Sequence, residues 1–279
     1  MQMTVRNRRS TIAGIFPVAF LAFGGVCAGA DASVGKLAFE QQEEFLRTAR
    51  IVQTHGVNKG ITNTVRVTMT DGKITHDASV QRIDEHKNVF EKATGGSELN
   101  FKDTYKFNIA AWKLSHLLGI DDMIPPSVER KFQGQSAAYT WWVDDVLMDE
   151  IARTKNKTEP PDQDHWNSEM YVVRVFDQLI SNTDRNLTNL LIDKQWRIWM
   201  IDHTRAFRTP RTLLEPKNLA RCDRSLLAKM KALDASTLDK ELDPYANRDE
   251  VRGLLARRDI IVKFFENKGD SALYDRPPR

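Results

Sequence analysis

The sequence predicts an α+β chain in two lobes, a small β-rich N-terminal lobe followed by a mainly helical C-terminal lobe, on three observations. Val65, Val67 and Met69 alternate with polar residues ahead of an Asp71-Gly72 turn signal and a second strand at 78–83, the pattern of a β-hairpin. An apolar stripe of Ile109, Ala110, Leu114, Leu117 and Leu118 marks a helix that stops at Gly119, ahead of a strand-like run at 137–143. Beyond Phe207 helical patterning continues to near Gly269, over 224–233, 236–242 and 248–265.

Residues 1–30 stand apart. Arg6, Arg8 and Arg9 precede an apolar run from Ile12 to Val26 and the small residues Ala28, Gly29 and Ala30, the pattern of an export signal cleaved before Asp31. Pro17, Gly24 and Gly25 interrupt the run, which falls short of the roughly 20 apolar residues a membrane span requires. The expectation is an exported protein with no stable transmembrane anchor after cleavage. It would be periplasmic or extracellular in a bacterium and in the secretory pathway in a eukaryote. The chain carries 41 Lys and Arg against 38 Asp and Glu, and the excess is the three leader arginines. Balanced charge in the rest excludes a broad nucleic-acid footprint. Cleavage also removes Cys27 and leaves Cys222 alone, so no intrachain disulfide is expected. A buried core has to stabilise the mature chain.

The elements follow in order, with 31–144 read as an N-terminal helix and the first lobe and 145–279 as the second. Leu37, Phe39, Phe45, Leu46 and Ile51 recur at helical spacing, which predicts an amphipathic helix over 36–52. The hairpin comes next, after a Gly, Asn and Thr loop. A polar stretch ends near Lys102, and Asp103 or Thr104 can cap the helix that follows. Pro125 and Pro126 bar a helical start at 124–130. "KNKTEPPDQD" predicts a surface loop between the lobes. Met170, Val173, Phe176, Leu179 and Ile180 then place the buried face of a helix over 165–180, and the tail "RPPR" reads as loosely ordered.

The chemistry concentrates in "SNTDRNLTNLLIDKQWRIWMIDH", residues 181–203. Asp184 and Asn189 fall in a loop between the buried helix and the strand "LLI", and Asp202 ends the strand "WRIWMI". A hairpin turning at Asp193 and Lys194 brings Asn189 and Asp202 together at its open end, beside Asp184. Oxygen donors suit Mg²⁺, with Mn²⁺ as a substitute, and an aspartate with an asparagine holds such a cation without cancelling its charge. A further aspartate can orient or deprotonate an acceptor hydroxyl. Asn189 lies five residues after Asp184 and Asp202 thirteen further on, in the order in which protein kinases place these groups.

"NTDRNLTN" followed by "WMIDHTRAF" resembles the atypical kinase group that includes HipA-type kinases, the phosphatidylinositol 3/4-kinase catalytic fold and the secretory-pathway Fam20-type kinases. "GVNKGIT" is similar to the nucleotide-covering loop, "YKFNIAAWKLSHLLGI" to the lobe-bridging helix, "IPPSVER" to the strand entry and "TWWVDD" to the hinge. The resemblance implies a two-lobed kinase-like fold that transfers phosphate from Mg-ATP to a hydroxyl on protein, lipid or sugar. It implies Asp184 as catalytic base or acceptor-orienting residue, Arg185 as support for the catalytic loop, and Asn189 and Asp202 as Mg²⁺ ligands. Gly56, Lys59, Gly60 and Thr62 would line the phosphates, and the backbone of Trp141, Trp142 and Val143 would meet adenine.

Two positions depart from that pattern. "ASVQRID" places Gln81 where a phosphate-binding lysine is expected, and "YKFNIAA" places Asn108 where its glutamate partner is expected. Two amides can hydrogen-bond each other, and joint loss of a buried ion pair costs less than loss of one member. Losing a charged contact to phosphate costs turnover about tenfold to 150-fold. Lys59 is a better substitute cation than Lys87 or Arg82, since alternation turns Arg82 to the face opposite Gln81. The departures keep two other readings open: a pseudokinase that binds a nucleotide or protein as a scaffold, and transfer of AMP. His203 and Trp141, Trp142, Trp196 and Trp199 read as packing residues. Asn156 and Asn186 head glycosylation triplets, and a glycan at Asn186 would obstruct the site.

Overall fold

The computed structural model describes residues 37–56, 64–91 and 95–279. The export signal, Lys59, Gly60 and Thr62 lie outside the described residues. Helix α1 (Phe39–Thr48) buries Phe45 and Leu46 and stops earlier than the spacing predicts, because Arg50–Gly56 is a strand, β1. Backbone pairing decides this: β1 runs antiparallel to β2 (Val65–Thr70), with Arg50 opposite Thr70 and Gly56 opposite Val65. Arg130 supports the switch by donating to carbonyls at the end of α1, that of Leu46 at 3.2 Å and that of Ala49, just past the helix, at 2.6 Å.

The hairpin at Asp71-Gly72 joins β2 to β3 (Thr75–Gln81) as its turn residues demand, with the Asp71 carboxylate accepting from the Lys73 and Ile74 amides. A second hairpin then intervenes, β4 (Asp84–Glu91) with β5 (Ser97–Thr104). Its sequence carries no period-two apolar pattern because β4 is exposed almost throughout. Asp103 and Thr104 are therefore strand residues rather than helix caps, although the Thr104 hydroxyl does accept from the Lys106 amide at 3.3 Å. Helix α2 (Lys106–Leu118) ends at Gly119 in the left-handed conformation that glycine permits. Strands β6 (Ser127–Phe132) and β7 (Gln135–Trp141) complete a five-stranded antiparallel sheet in the order β1-β2-β3-β7-β6.

The second half opens with β8 (Val146–Asp149) and α3 (Glu150–Asn156), a helix the sequence reading passed over. The "KNKTEPPDQD" loop separates α3 from α4 (Gln163–Ile180), which Asp162 caps through the Asp164 and His165 amides. Strands β9 (Leu190–Asp193) and β10 (Ile198–Met200) pair antiparallel and form a three-stranded sheet with β8. A short parallel pair, β11 (Cys222–Asp223) with β12 (Leu273–Tyr274), brackets α5 (Arg224–Ala232), α6 (Ala235–Leu242) and α7 (Arg248–Lys268). The tail is not loose: Arg276 pairs with Asp122, and Arg279, 5% exposed, pairs with the buried Glu169.

Among the described residues two large apolar cores result, with a small third cluster of Tyr105, Ile109 and Ala138. One lies under the sheet among Phe45, Leu46, Val67, Met69, Val80 and Tyr139; the larger joins α2, α4, α5, α6, α7, β9 and β10. Helix α2 serves both halves, sending Phe107, Trp112 and Leu114 into the large core while Ile109 packs on Ala138 of the sheet. Among the described residues no helix is long and apolar enough to cross a membrane.

Helix α7 meets the chain after Phe207 at close range. A methyl added at Gly253 would stand 2.8 Å from the Thr209 carbonyl oxygen and 3.1 Å from that of Arg208. Gly253→Ala is therefore expected to lower stability by about 1–3 kcal/mol through overpacking, despite alanine's better helix propensity. A urea midpoint equal to the wild type would show that the 208–209 backbone yields instead. Burial also pushes the Cys222 thiol up to about 12. Cys222 should stay unmodified by thiol reagents at pH 8 in the folded chain and react once it unfolds; rapid native labelling would contradict its burial.

Candidate active site

The loop from α4 to β9 is built around one guanidinium. Asp177 sits on the buried face of α4 among Val173, Phe176 and Ile180, and it is 8% exposed. Arg185 meets it twice, Nε to Oδ2 at 3.0 Å and Nη2 to Oδ1 at 3.0 Å. Arg185 Nη1 donates to the carbonyls of Ile201 at 2.7 Å and Asn189 at 3.2 Å. Asn182 donates to Asp177 at 3.2 Å and accepts the Asp184 amide at 3.1 Å. Helix, loop and both sides of the β9–β10 hairpin are thus tied to a single planar group, as bidentate arginine geometry allows.

That frame brings three of the sequence-predicted residues to one edge. The Ile201 amide donates to the Asn189 carbonyl at 3.0 Å, which closes the hairpin's open end and sets Asn189 near Asp202. Asp184 precedes them in the same loop. All three are half-buried, and the Asp184 carboxylate takes one long hydrogen bond, 3.4 Å from Asn186. Asp202 lies two residues past the end of β10 and has φ 54°, a left-handed conformation that costs a non-glycine residue about 1 kcal/mol or more.

The amides at the departing positions meet. The His203 amide donates to Asn108 Oδ1 at 2.7 Å, which leaves Asn108 Nδ2 to donate to Gln81 Oε1 at 2.6 Å. Gln81 Nε2 then faces Asp202 Oδ1 at 3.4 Å. Both amide side chains are buried, 4% and 6% exposed. The relay is neutral from end to end, and it reaches from β3 through α2 to the loop that carries Asp202.

The alternative cations point elsewhere. Arg82 reaches Gln133 and Gln135 on the β6–β7 turn, and Lys87 pairs with Glu85 on the β4–β5 hairpin. At the expected hinge, the Trp141 and Trp142 amides are taken by the Pro126 and Asp77 carbonyls. Among the described residues the Val143 amide donates to no partner. Trp141 stacks on His76 and Trp142 lies under Arg66, so both serve packing. Gly56 ends β1 at the mouth of the predicted phosphate loop.

Several site residues escaped the sequence reading. Thr204 donates to Asp202 Oδ1 at 3.1 Å. Asp103 stands nearby: burial raises its carboxyl, a Thr204 hydrogen bond opposes this, and the negative charge of Asp202 adds to the rise. Burial, with the positive charge of Arg185, holds His203 well below the usual histidine range, so its ring is neutral and structural. Asp177 had a signal, since it falls four residues after Val173 on the apolar stripe. Asp103 had none, because only the hairpin's fold brings it to Asp202.

Among the described residues no three His, Cys, Asp or Glu side chains gather closely enough to cage a metal alone. The available donors are the Asn189 amide oxygen and the Asp202 carboxylate. Such a hard, sparse set fits Mg²⁺, which keeps waters and shares phosphate oxygens, better than it fits Zn²⁺.

No family model matches the chain, and no curated protein does. Among solved structures, a Helicobacter pylori proinflammatory kinase, CtkA, is similar over 77% of this chain and 92% of its own, at 11% identity and a TM-score of 0.44. The apo form of PpkA-294 is similar over 56% and 60%, at 10% identity and a TM-score of 0.33.

Arg185→Met should leave Asp177 buried without its cation and cost about 3–5 kcal/mol of stability. The double variant Arg185→Met/Asp177→Leu should cost clearly less than the sum of the singles. Additive losses in chemical denaturation would mean that the pair does not act as the frame of the loop.

Proposed function

We propose that this protein is an ATP-dependent phosphotransferase of the atypical kinase type, transferring phosphate to a hydroxyl on protein, lipid or sugar. One observation supports the reading: Arg185 ties the Asn189 and Ile201 carbonyls together next to Asp202, in the loop that also carries Asp184. Asp202 and Asn189 would hold Mg²⁺, which supplies charge neutralisation at the phosphates. Asp184, whose carboxylate is only weakly engaged, would accept the acceptor's O–H hydrogen bond and take its proton as the oxygen attacks the γ-phosphorus of ATP, with the bond to the β-phosphate breaking and ADP leaving. The Val143 amide offers a donor to the adenine edge. Gln81 keeps Asp202 oriented, and a neutral amide there forgoes the cation's pull on phosphate. The leader sequence supports an exported protein.

The scaffold reading draws on the same relay. Gln81 and Asn108 remove the charged pair that positions phosphate, so a chain that binds nucleotide without turning it over fits those two residues equally well. Transfer of AMP also remains compatible with this set of residues.

Titration calorimetry of Mg-ATP into the mature chain separates these readings. Binding should be measurable and should weaken at least about tenfold in Asp202→Ala. Asp184→Asn should bind nearly as the wild type does and lose roughly a hundredfold or more in transfer of labelled phosphate. Binding without transfer to any hydroxyl acceptor would favour the scaffold, and no binding at millimolar Mg-ATP would sink every ATP-dependent reading.

A further inference from the structure

The chain that follows Asp202 is gripped by a second set of contacts besides the amide relay. The Thr104 amide at the end of β5 donates to the Thr204 carbonyl at 2.9 Å. Glu98, on the same strand, accepts from Arg205 Nη2 at 3.0 Å and lies 2.5 Å from Arg208 Nη2. Arg208, 6% exposed, also donates to the carbonyls of Asn100 at 2.8 Å and Lys102 at 3.2 Å. The Arg205 guanidinium lies over the Phe101 ring, 4.9 Å from its centroid. Lys102 carries the grip further, to the buried Glu250 at the start of α7. One hairpin, inserted between β3 and α2, therefore binds the segment 204–208 by a backbone bond, two ion pairs and a cation–π contact.

We propose that the β4–β5 hairpin is a permanent clamp on the Asp202 loop and that Glu98 is its positioning residue, so that the loop is held in place without any phosphorylation of 203–208. The proposal deepens the phosphotransfer reading and rests on it. A segment after a metal-binding aspartate can be ordered by a phosphate that draws arginines together. Here the arginines are already drawn together, and the anion between them is a carboxylate built into β5. The only hydroxyl between Asp202 and Arg208 is that of Thr204, which is 3% exposed and already donates to Asp202. A phosphate there would have to displace both the packing and that hydrogen bond. Glu98 touches no reacting atom in this arrangement; its effect passes through Arg205 and Arg208 to the backbone on which Asp202 turns.

The test compares wild type, Glu98→Gln, Glu98→Ala and the rescue variant Glu98→Asp, with Lys87→Gln as a control at an exposed hairpin position. Hydrogen exchange of the full chain without nucleotide is read over 201–208, α4 and α7. In Glu98→Gln the 201–208 amides should exchange about tenfold to a hundredfold faster, the range spanned by loss of one charge-assisted hydrogen bond. Protection in α4 and α7 should hold, Glu98→Asp should recover part of the effect, and Lys87→Gln should match wild type. Where wild type binds Mg-ATP, Glu98→Gln should weaken that binding by a similar factor. Unchanged exchange over 201–208 in both Glu98→Gln and Glu98→Ala overturns the clamp, whatever the nucleotide does. Should Glu98→Ala unfold the hairpin, the near-isosteric Glu98→Gln still decides. Faster exchange with no Mg-ATP binding even in wild type would leave the clamp standing and remove the phosphotransfer reading instead.

Discussion

Asn108 is the point at which the sheet and the Asp202 loop are made to agree. Its amide is 4% exposed and is used at both ends, accepting the His203 amide and donating to Gln81. A backbone N–H can only donate, so His203 fixes which end of Asn108 is oxygen. That in turn fixes which end of Gln81 faces Asp202. The orientation of two side chains on two different elements follows from one peptide group. An unmade hydrogen bond here would leave a buried polar group unpaired, at about 1–3 kcal/mol, so β3, α2 and the loop are constrained together.

The relay's neutrality has a physical consequence. An ion pair at these positions would have to be desolvated, and burial of charge costs several kcal/mol per ion unless the geometry compensates. Two amides avoid that penalty and still transmit position. What they give up is the electrostatic attraction to phosphate, which Gln81 cannot replace. Charge in this region is carried instead by groups that hold backbone: Arg185 beneath the loop and Arg208 with Arg205 beside it. Arg185 ends on the Asn189 and Ile201 carbonyls, and Arg208 on the Asn100 and Lys102 carbonyls of β5, so these charged residues act on where the chain goes.

The sequence made legible what depends on short-range pattern. The Asp71-Gly72 turn, the Gly119 stop and the α4 stripe all rest on local rules of turn, cap and periodicity, and the structure places them accordingly, as it does the hairpin that joins the Asn189 carbonyl to the Ile201 amide. What failed depended on distant partners. β1 reads as helix until β2 pairs with it, since Ile51 continues the helical spacing and only the ladder shows otherwise. The β4–β5 hairpin has no core face to announce it, and the tail arginines find Asp122 and Glu169 more than a hundred residues away in the chain. In the site, Gln81 and Asn108 stood out as departures from a pattern, whereas Glu98 and Asp103 broke no pattern and became site residues only through the hairpin's docking.

Asp202 ends up between two kinds of hold, and their difference is informative. On the sheet side the hold comes from two neutral, buried amide side chains, Asn108 and Gln81; on the hairpin side the contacts are ionic and only partly shielded, with Arg205 still 21% exposed. Ionic contacts at partial exposure respond to salt and to competing anions, while buried amide contacts do not. The left-handed backbone at Asp202 costs energy in either case. Loosening one side need not release the loop at once: the amide relay can keep Asp202 facing β3 after the arginines let go. The Asp202 carboxylate is thus met from both sides, by Gln81 of the relay at 3.4 Å and by Thr204 of the clamped segment at 3.1 Å, and the rigidity of the chain that follows it is set by the clamp.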